Sequence, residues 1–290
     1  MIGKESKSLL RIGNFPYSNL FPIFYMLQRE CDCSKYEFSE GVPSVLNQML
    51  RNDEIDISPS SSIEYLRHKN KYALIKNHSI SSKGPVGSIL LLSKRPIVEL
   101  KGKTILVSSQ SETSVALLGI ILKKFYETEC SLKATDEPLD SLINKAEAYL
   151  AIGDDALRAN KTILNFKFQM SNKDPNSSLF HIYDLGDLWY KNTGLPFVFA
   201  LWIVRRDCLK EKAELLNSFI RDLYHAKELA LQNLDKIAQA LRPLLRSRYL
   251  LDMTEEELIS YWKRISYDFT EEHEKGLKLF RKYSEELCLL

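Results

Sequence analysis

Two stretches concentrate hydroxyl side chains where a strand pattern gives way to a helical one. "DISPSSSIEYL" (56–66) carries Ser58, Ser60, Ser61 and Ser62, and "SSQSETS" (108–114) carries Ser108, Ser109, Ser111, Thr113 and Ser114. Serine at such a place neither builds core nor carries charge. Its hydroxyl, beside the bare N–H groups at the positive end of a helix, suits a carboxylate or a phosphate. Ser61-x-x-Glu64 also matches a capping box, a local use that needs only one of the serines. A third turn, Gly153-Asp154-Asp155, places glycine where backbone can approach closely. None of the three has the glycine spacing of a P-loop or a dinucleotide fingerprint, so nucleotide binding is disfavoured. Two anion-friendly turns suit a small ligand with two carboxylates.

Acids and bases are scarce around these turns. The histidines at 68, 78, 181, 225 and 273 lie outside them, and no HExxH, GxSxG or carboxylate cluster occurs. Neither a metal nor a cofactor is implied. Glu64 is accounted for as a cap and Asp154 as a helix-start residue, so any chemistry runs with few titratable groups. Five cysteines are scattered at 31, 33, 130, 208 and 288. Cys31-x-Cys33 has no second pair or nearby histidine and reads as two loop thiols. A reducing, cytoplasmic setting is expected.

The elements that would position the turns follow from hydrophobic periodicity. Apolar runs at 9–15, 55–61, 103–109 and 148–155 each lead into a helical pattern, the signature of βαβ units on a parallel sheet. Ligands collect at the C-terminal ends of such strands. Two longer apolar runs, 88–96 and 196–206, are read as crossings between two lobes. Residues 1–95 with 205–290 would form lobe 1, and residues 97–200 an inserted lobe 2, with the ligand cleft between them. After 206 the chain is helical, with a one-sided stripe over 211–231 and an interruption at Pro243. With 290 residues, 44% of them hydrophobic and 27% charged, two such lobes are affordable in core. A net charge of +2, with only the triplet at 246–248 clustered, argues against a nucleic-acid partner. The longest apolar stretch, "LPFVFALWIV", is too short to cross a membrane, and "MIGKESKSLLRIGNF" has no apolar run of export-signal length. The spacing leaves the oligomeric state open.

Six segments carry a more specific signal: "RIGNFPYSNLFP" (11–22), "DISPSSSIEYL" (56–66), "GPVGSILLLS" (84–93), "SQSETSVALL" (109–118), "AIGDDAL" (151–157) and "DLGDLWYKNTGLPFVFALW" (184–202). In this order they resemble the chorismate dehydratases of the futalosine route to menaquinone, in the MqnA/MqnD family. The resemblance is dense over about 10–206. It implies an α/β, two-lobed, type II periplasmic-binding-protein-like fold with two hinge crossings and a helical C-terminal segment. The implied reaction is loss of water from chorismate, a dianion, to give 3-[(1-carboxyvinyl)oxy]benzoate, with the substrate's own carboxylate as base. Catalytic roles pass to Asn19 and Ser88. Substrate contacts pass to Ser60, Ser61, Thr113, Ser114, Gly153, Asp154, Thr193 and Gly194. The sister 1,4-dihydroxy-6-naphthoate synthase is the rival within the family; it carries Ile-His-Glu where this chain has Ile152-Gly153-Asp154. A non-catalytic dicarboxylate sensor is the rival from another class.

Overall fold

The structure is a computed structural model that describes residues 9–137, 141, 146–171, 181–249 and 251–290. The side chains of 164–171, Arg246 and Arg248 lie outside the described residues, as do the first eight residues.

The chain begins with β1 (Leu10–Asn14), α1 (Phe21–Glu30), β2 (Tyr36–Glu40), α2 (Pro43–Arg51), β3 (Ile57–Ser61), the short α3 (Ser62–Arg67) and β4 (Tyr72–Ser82). It continues through β5 (Ile89–Ser93), β6 (Thr104–Ser108), α4 (Glu112–Ile120), β7 (Ser131–Thr135), β8 (Ala148–Ile152), α5 (Gly153–Ser171) and β9 (His181–Asp184). Then come α6 (Leu185–Thr193) and β10 (Phe197–Arg205). Five helices complete the chain: α7 (Cys208–Glu211), α8 (Ala213–Gln232), α9 (Leu234–Arg248), α10 (Glu255–Arg264) and α11 (Glu271–Glu286).

Among the described residues the strands form two five-stranded sheets, in the orders β2-β1-β3-β10-β4 and β7-β6-β8-β5-β9. The βαβ units are parallel as expected: β1 runs parallel to β2 and β3, and β6 to β7 and β8. The sheets as a whole are mixed, because β10 runs antiparallel to β3 and β4, and β5 antiparallel to β8 and β9. The two runs anticipated as crossings therefore lie wholly inside one sheet each, β5 in the second and β10 in the first. Each is hydrogen-bonded on both edges and almost wholly buried, which is what an unbroken apolar run records. The chain passes between the sheets instead at 83–88 and 194–196, where Gly84, Pro85, Gly87, Gly194 and Pro196 prevent strand continuation.

The helical tail packs on the first sheet. Helix α8 buries Leu216, Phe219 and Leu223, the anticipated stripe. Helix α9 runs through Pro243 without ending there. Its neighbours Leu241 and Leu245 are buried in the core, and that packing outweighs the lost backbone hydrogen bond. Helix α11 reaches the second crossing: a methyl group on Gly276 would strike the Pro196 carbonyl.

Candidate functional site

The C-terminal ends of β1, β3 and β8 meet in one cleft between the sheets, with an empty volume of about 500 Å³ counting its open mouth. Phe15, Ile80, Ile89, Ile152 and Phe199 supply apolar walls. Tyr17, Asn19, Ser61, Ser88, Ser111, Ser114 and Gly153 bring the polar groups. Both serine turns therefore face the same hollow, one from each sheet. Among the described residues, no aspartate, glutamate, histidine, lysine or arginine lines it.

The hydroxyls are oriented by relays. Ser61 Oγ accepts from Asn47 Nδ2 at 2.9 Å, which leaves its own hydrogen free to donate. Ser114 Oγ accepts from Ser111 Oγ at 2.9 Å and is left with a free hydrogen in the same way. Ser111 also caps α4 by accepting from the Ser114 N–H. Two donors from opposite sides can thus point at an anion without a formal positive charge. Ser88 holds the second sheet's side through its backbone, whose carbonyl accepts from the Gly153 N–H at 2.8 Å, while its hydroxyl lies beside the buried Tyr261 hydroxyl at the cleft wall. Gly153 has a left-handed φ of +57°, and the Tyr17 ring lies 3.4 Å from where a Cβ would stand. A larger residue would be strained and pressed on that ring.

Asn19 sits on the turn between β1 and α1, held by elements far along the chain. Tyr267 donates its hydroxyl to the Asn19 carbonyl at 2.6 Å, and Trp262 Nε1 donates to the Ser18 carbonyl at 2.9 Å. The Asn19 Oδ1 atom is buried without a partner among the described residues. A buried amide oxygen left open is costly unless a ligand completes it. Burial drives the Tyr261 and Tyr267 hydroxyls well above the tyrosine range, so both remain protonated donors.

The remaining anticipated residues lie close by but not on the cleft wall. Ser60 is fully buried on the opposite face of β3, because side chains alternate along a strand that runs to Ser61. Ser58 packs where a Cβ on Gly13 would collide with it, so its small size lets β1 and β3 approach. Ser62 donates to the Val198 carbonyl at 2.6 Å. Thr113 is buried, and its Oγ1 accepts from the Ile63 N–H at 3.1 Å, which ties α3 to α4 across the cleft. That bond uses a backbone donor of the six-residue α3, so the first turn presents the Ser61 hydroxyl rather than a helix terminus. The capping box read at Ser61 and Glu64 does not form: Ser61 makes no side-chain cap bond. Glu64 is buried and bonded to Arg51 and Tyr72, both at 3.0 Å. Asp154 is buried and accepts from Ser18. Thr193 donates to the Trp189 carbonyl at 2.8 Å, and Gly194 ends α6 in the left-handed conformation at φ +68°. Both are spent on terminating a helix.

Asp184 opens the motif "DLG". It accepts from the N–H groups of Val86, Gly87, Gly186 and Asp187, at 2.6–3.2 Å, and so ties one crossing to the start of the other. Gly186 has no room for a side chain, since a Cβ would stand 2.6 Å from Ser82 Oγ and 2.7 Å from the Gly84 carbonyl. No sequence signal pointed to Trp262 or Tyr267, which reach the turn of Ser18 and Asn19 from more than two hundred residues away, or to Tyr261, which faces Ser88 and Asp154. Among the described residues, no group of three or more His, Cys, Asp or Glu side chains could hold a metal ion.

Two mixed sheets joined by two crossings, with an anion-suited cleft between them, define a two-lobed protein of the periplasmic-binding-protein-like type. A structure from Archaeoglobus fulgidus superposes with a TM-score of 0.77 at 19% identity, covering 99% of this chain and all of that one. The periplasmic aliphatic sulphonate binding protein of Escherichia coli gives 0.62 at 14% identity, covering 98% of this chain and 88% of that one. These likenesses show the fold. Residues 10–286 match the menaquinone biosynthesis family, and the chain belongs to it. The chorismate dehydratase of Thermus thermophilus is 29% identical over 247 residues, 81% of this chain and 84% of that protein. That of Campylobacter jejuni is 29% identical over 231 residues, 77% of this chain and 80% of that protein.

Proposed function

We propose that this protein is a chorismate dehydratase, a hydro-lyase that removes water from chorismate to give 3-[(1-carboxyvinyl)oxy]benzoate. The observation that carries the reading is the meeting of Asn19, Ser61, Ser88, Ser111 and Ser114 in one apolar-walled cleft with, among the described residues, no titratable acid or base on its wall beyond Tyr17. Family membership and the two named relatives support it.

The chemistry fits such a cleft. Loss of the C3 proton and the C4 hydroxide makes the ring aromatic, so the reaction needs orientation more than a strong catalyst. The Ser61 and Ser114 hydroxyls hold the two carboxylates from opposite sides. The enolpyruvyl carboxylate takes the C3 proton, the C–H electron pair forms the C3–C4 π bond, and the C4–O bond breaks; the departing hydroxide takes that proton from the new carboxylic acid and leaves as water. Asn19 and Ser88 donate to the oxygen on which negative charge grows, a preorganised electrostatic role. Phe15, Ile152 and Phe199 exclude water from the ring faces.

The test is to mix purified protein with chorismate, without added metal or cofactor, and follow the benzoate product by mass spectrometry. Product at a rate proportional to enzyme is expected. Saturable chorismate binding with no product would replace the proposal with the sensor reading.

A further inference from the structure

Asp154 belongs to the second sheet's side, as the second residue of α5. Ser18 belongs to the first, on the turn that presents Asn19. The Ser18 N–H donates to Asp154 Oδ2 at 3.1 Å and the Ser18 hydroxyl to Oδ1, and both residues are buried. Either side of this pair, Tyr17 donates to Gln110 Oε1 at 2.7 Å, and the Ser18 carbonyl receives Trp262. Opening the cleft has to break the Asp154–Ser18 contact and expose the carboxyl group.

We propose that Asp154 is a positioning residue, a latch that holds the cleft shut and sets Asn19 in place, and that closing the latch takes up a proton. The part concerning Asn19 rests on the function proposed above; the latch itself does not. Burial pushes the Asp154 carboxyl up to about 7, outweighing the two bonds from Ser18 that favour the charged form. Asp155 on the same helix adds to the rise and Arg158 opposes it. Tyr17 from the turn and Tyr261 from α10 also face the group, but burial holds their hydroxyls far above neutrality. The neutral acid keeps the latch: one oxygen still accepts from the Ser18 N–H, and the protonated oxygen donates to the Ser18 hydroxyl.

The direction follows from linkage. An exposed aspartate titrates near 4. Closure therefore favours the protonated form, and the closed population is greatest toward acid. Between about pH 4 and 7 the closed-to-open ratio falls up to about tenfold per pH unit, and above 7 it levels off.

Small-angle X-ray scattering of the ligand-free protein at pH 5.5 and 8 tests this without requiring turnover. The wild type is expected to show the larger radius of gyration at pH 8. Asp154→Asn, whose amide can accept from the Ser18 N–H and donate to its hydroxyl, should show the same radius at both values. Ser18→Ala should be more open than the wild type at pH 5.5. With chorismate, the wild-type KM should rise between pH 5.5 and 7 while that of Asp154→Asn stays flat. An Asp154→Asn protein that opens with pH as the wild type does, or a wild type whose radius does not change, overturns the proposal. Absence of turnover with the scattering shift intact would overturn only the functional reading.

Discussion

Replacing Asn19 with aspartate keeps the side chain's size and adds one negative charge to a cleft that none of the described lysines or arginines lines. A substrate carboxylate about 5 Å away would be repelled by about 3 kcal/mol at an effective dielectric constant near 20, which corresponds to a loss on the order of 10² in kcat/KM. The nearest dedicated donors, Ser61 and Ser114, are neutral and cannot offset the added charge. The new carboxyl would titrate above the ordinary carboxylate range, because burial and the dianion both oppose ionisation. The ratio of variant to wild-type kcat/KM should therefore rise as pH falls from 8 to 5, and taking the ratio cancels any pH effect of Asp154. The assay is chorismate turnover read by mass spectrometry over that range, with thermal unfolding as the control for folding. A variant within threefold of wild type at pH 8, with a ratio independent of pH, would refute both the anion and its place beside Asn19.

Ser88→Ala should lower kcat/KM by about 10–100-fold, the cost of losing one hydrogen bond to a charged group. Its Tm should fall only modestly, through the lost contact with Tyr261, because the bond to Gly153 comes from the Ser88 backbone. Gly186→Ala should destabilise by about 1–3 kcal/mol through overpacking against Ser82 and Gly84, seen as a lower Tm in calorimetry; an unchanged Tm would refute the tight approach of the crossings. Asp56 is buried, which pushes its carboxyl up, but Arg11 at 2.6 Å and Lys212 at 2.5 Å outweigh burial and hold it at about 2. A depressed carboxyl stabilises above its unfolded value near 4, and that stability is lost as pH falls toward 2. Asp56→Asn should therefore lower the urea-unfolding free energy at pH 7 by about 1–3 kcal/mol, with the difference shrinking below pH 4; a difference independent of pH would contradict the ion pairs.

Local pattern decided a good deal. The strands at 10–14, 57–61, 104–108 and 148–152, and the turns after them, were legible because alternating or continuous apolar runs end at small polar residues. β2, β7 and β9 are short and mostly half-exposed, and carry no comparable run. The apolar content of β5 and β10 announced strands but not their sheets, since burial on both faces looks the same in either sheet.

The sequence by itself determined which turns are rich in hydroxyls and poor in charge, and so the kind of ligand the cleft suits. The tertiary structure decided which hydroxyls face the cleft. One residue of register in β3 turns Ser61 into the cleft and Ser60 away from it. Residues 262 and 267 hold the backbone of Ser18 and Asn19, and Asp154 of the other lobe grips Ser18. Such choices depend on packing between segments more than a hundred residues apart, and no local spacing encodes it.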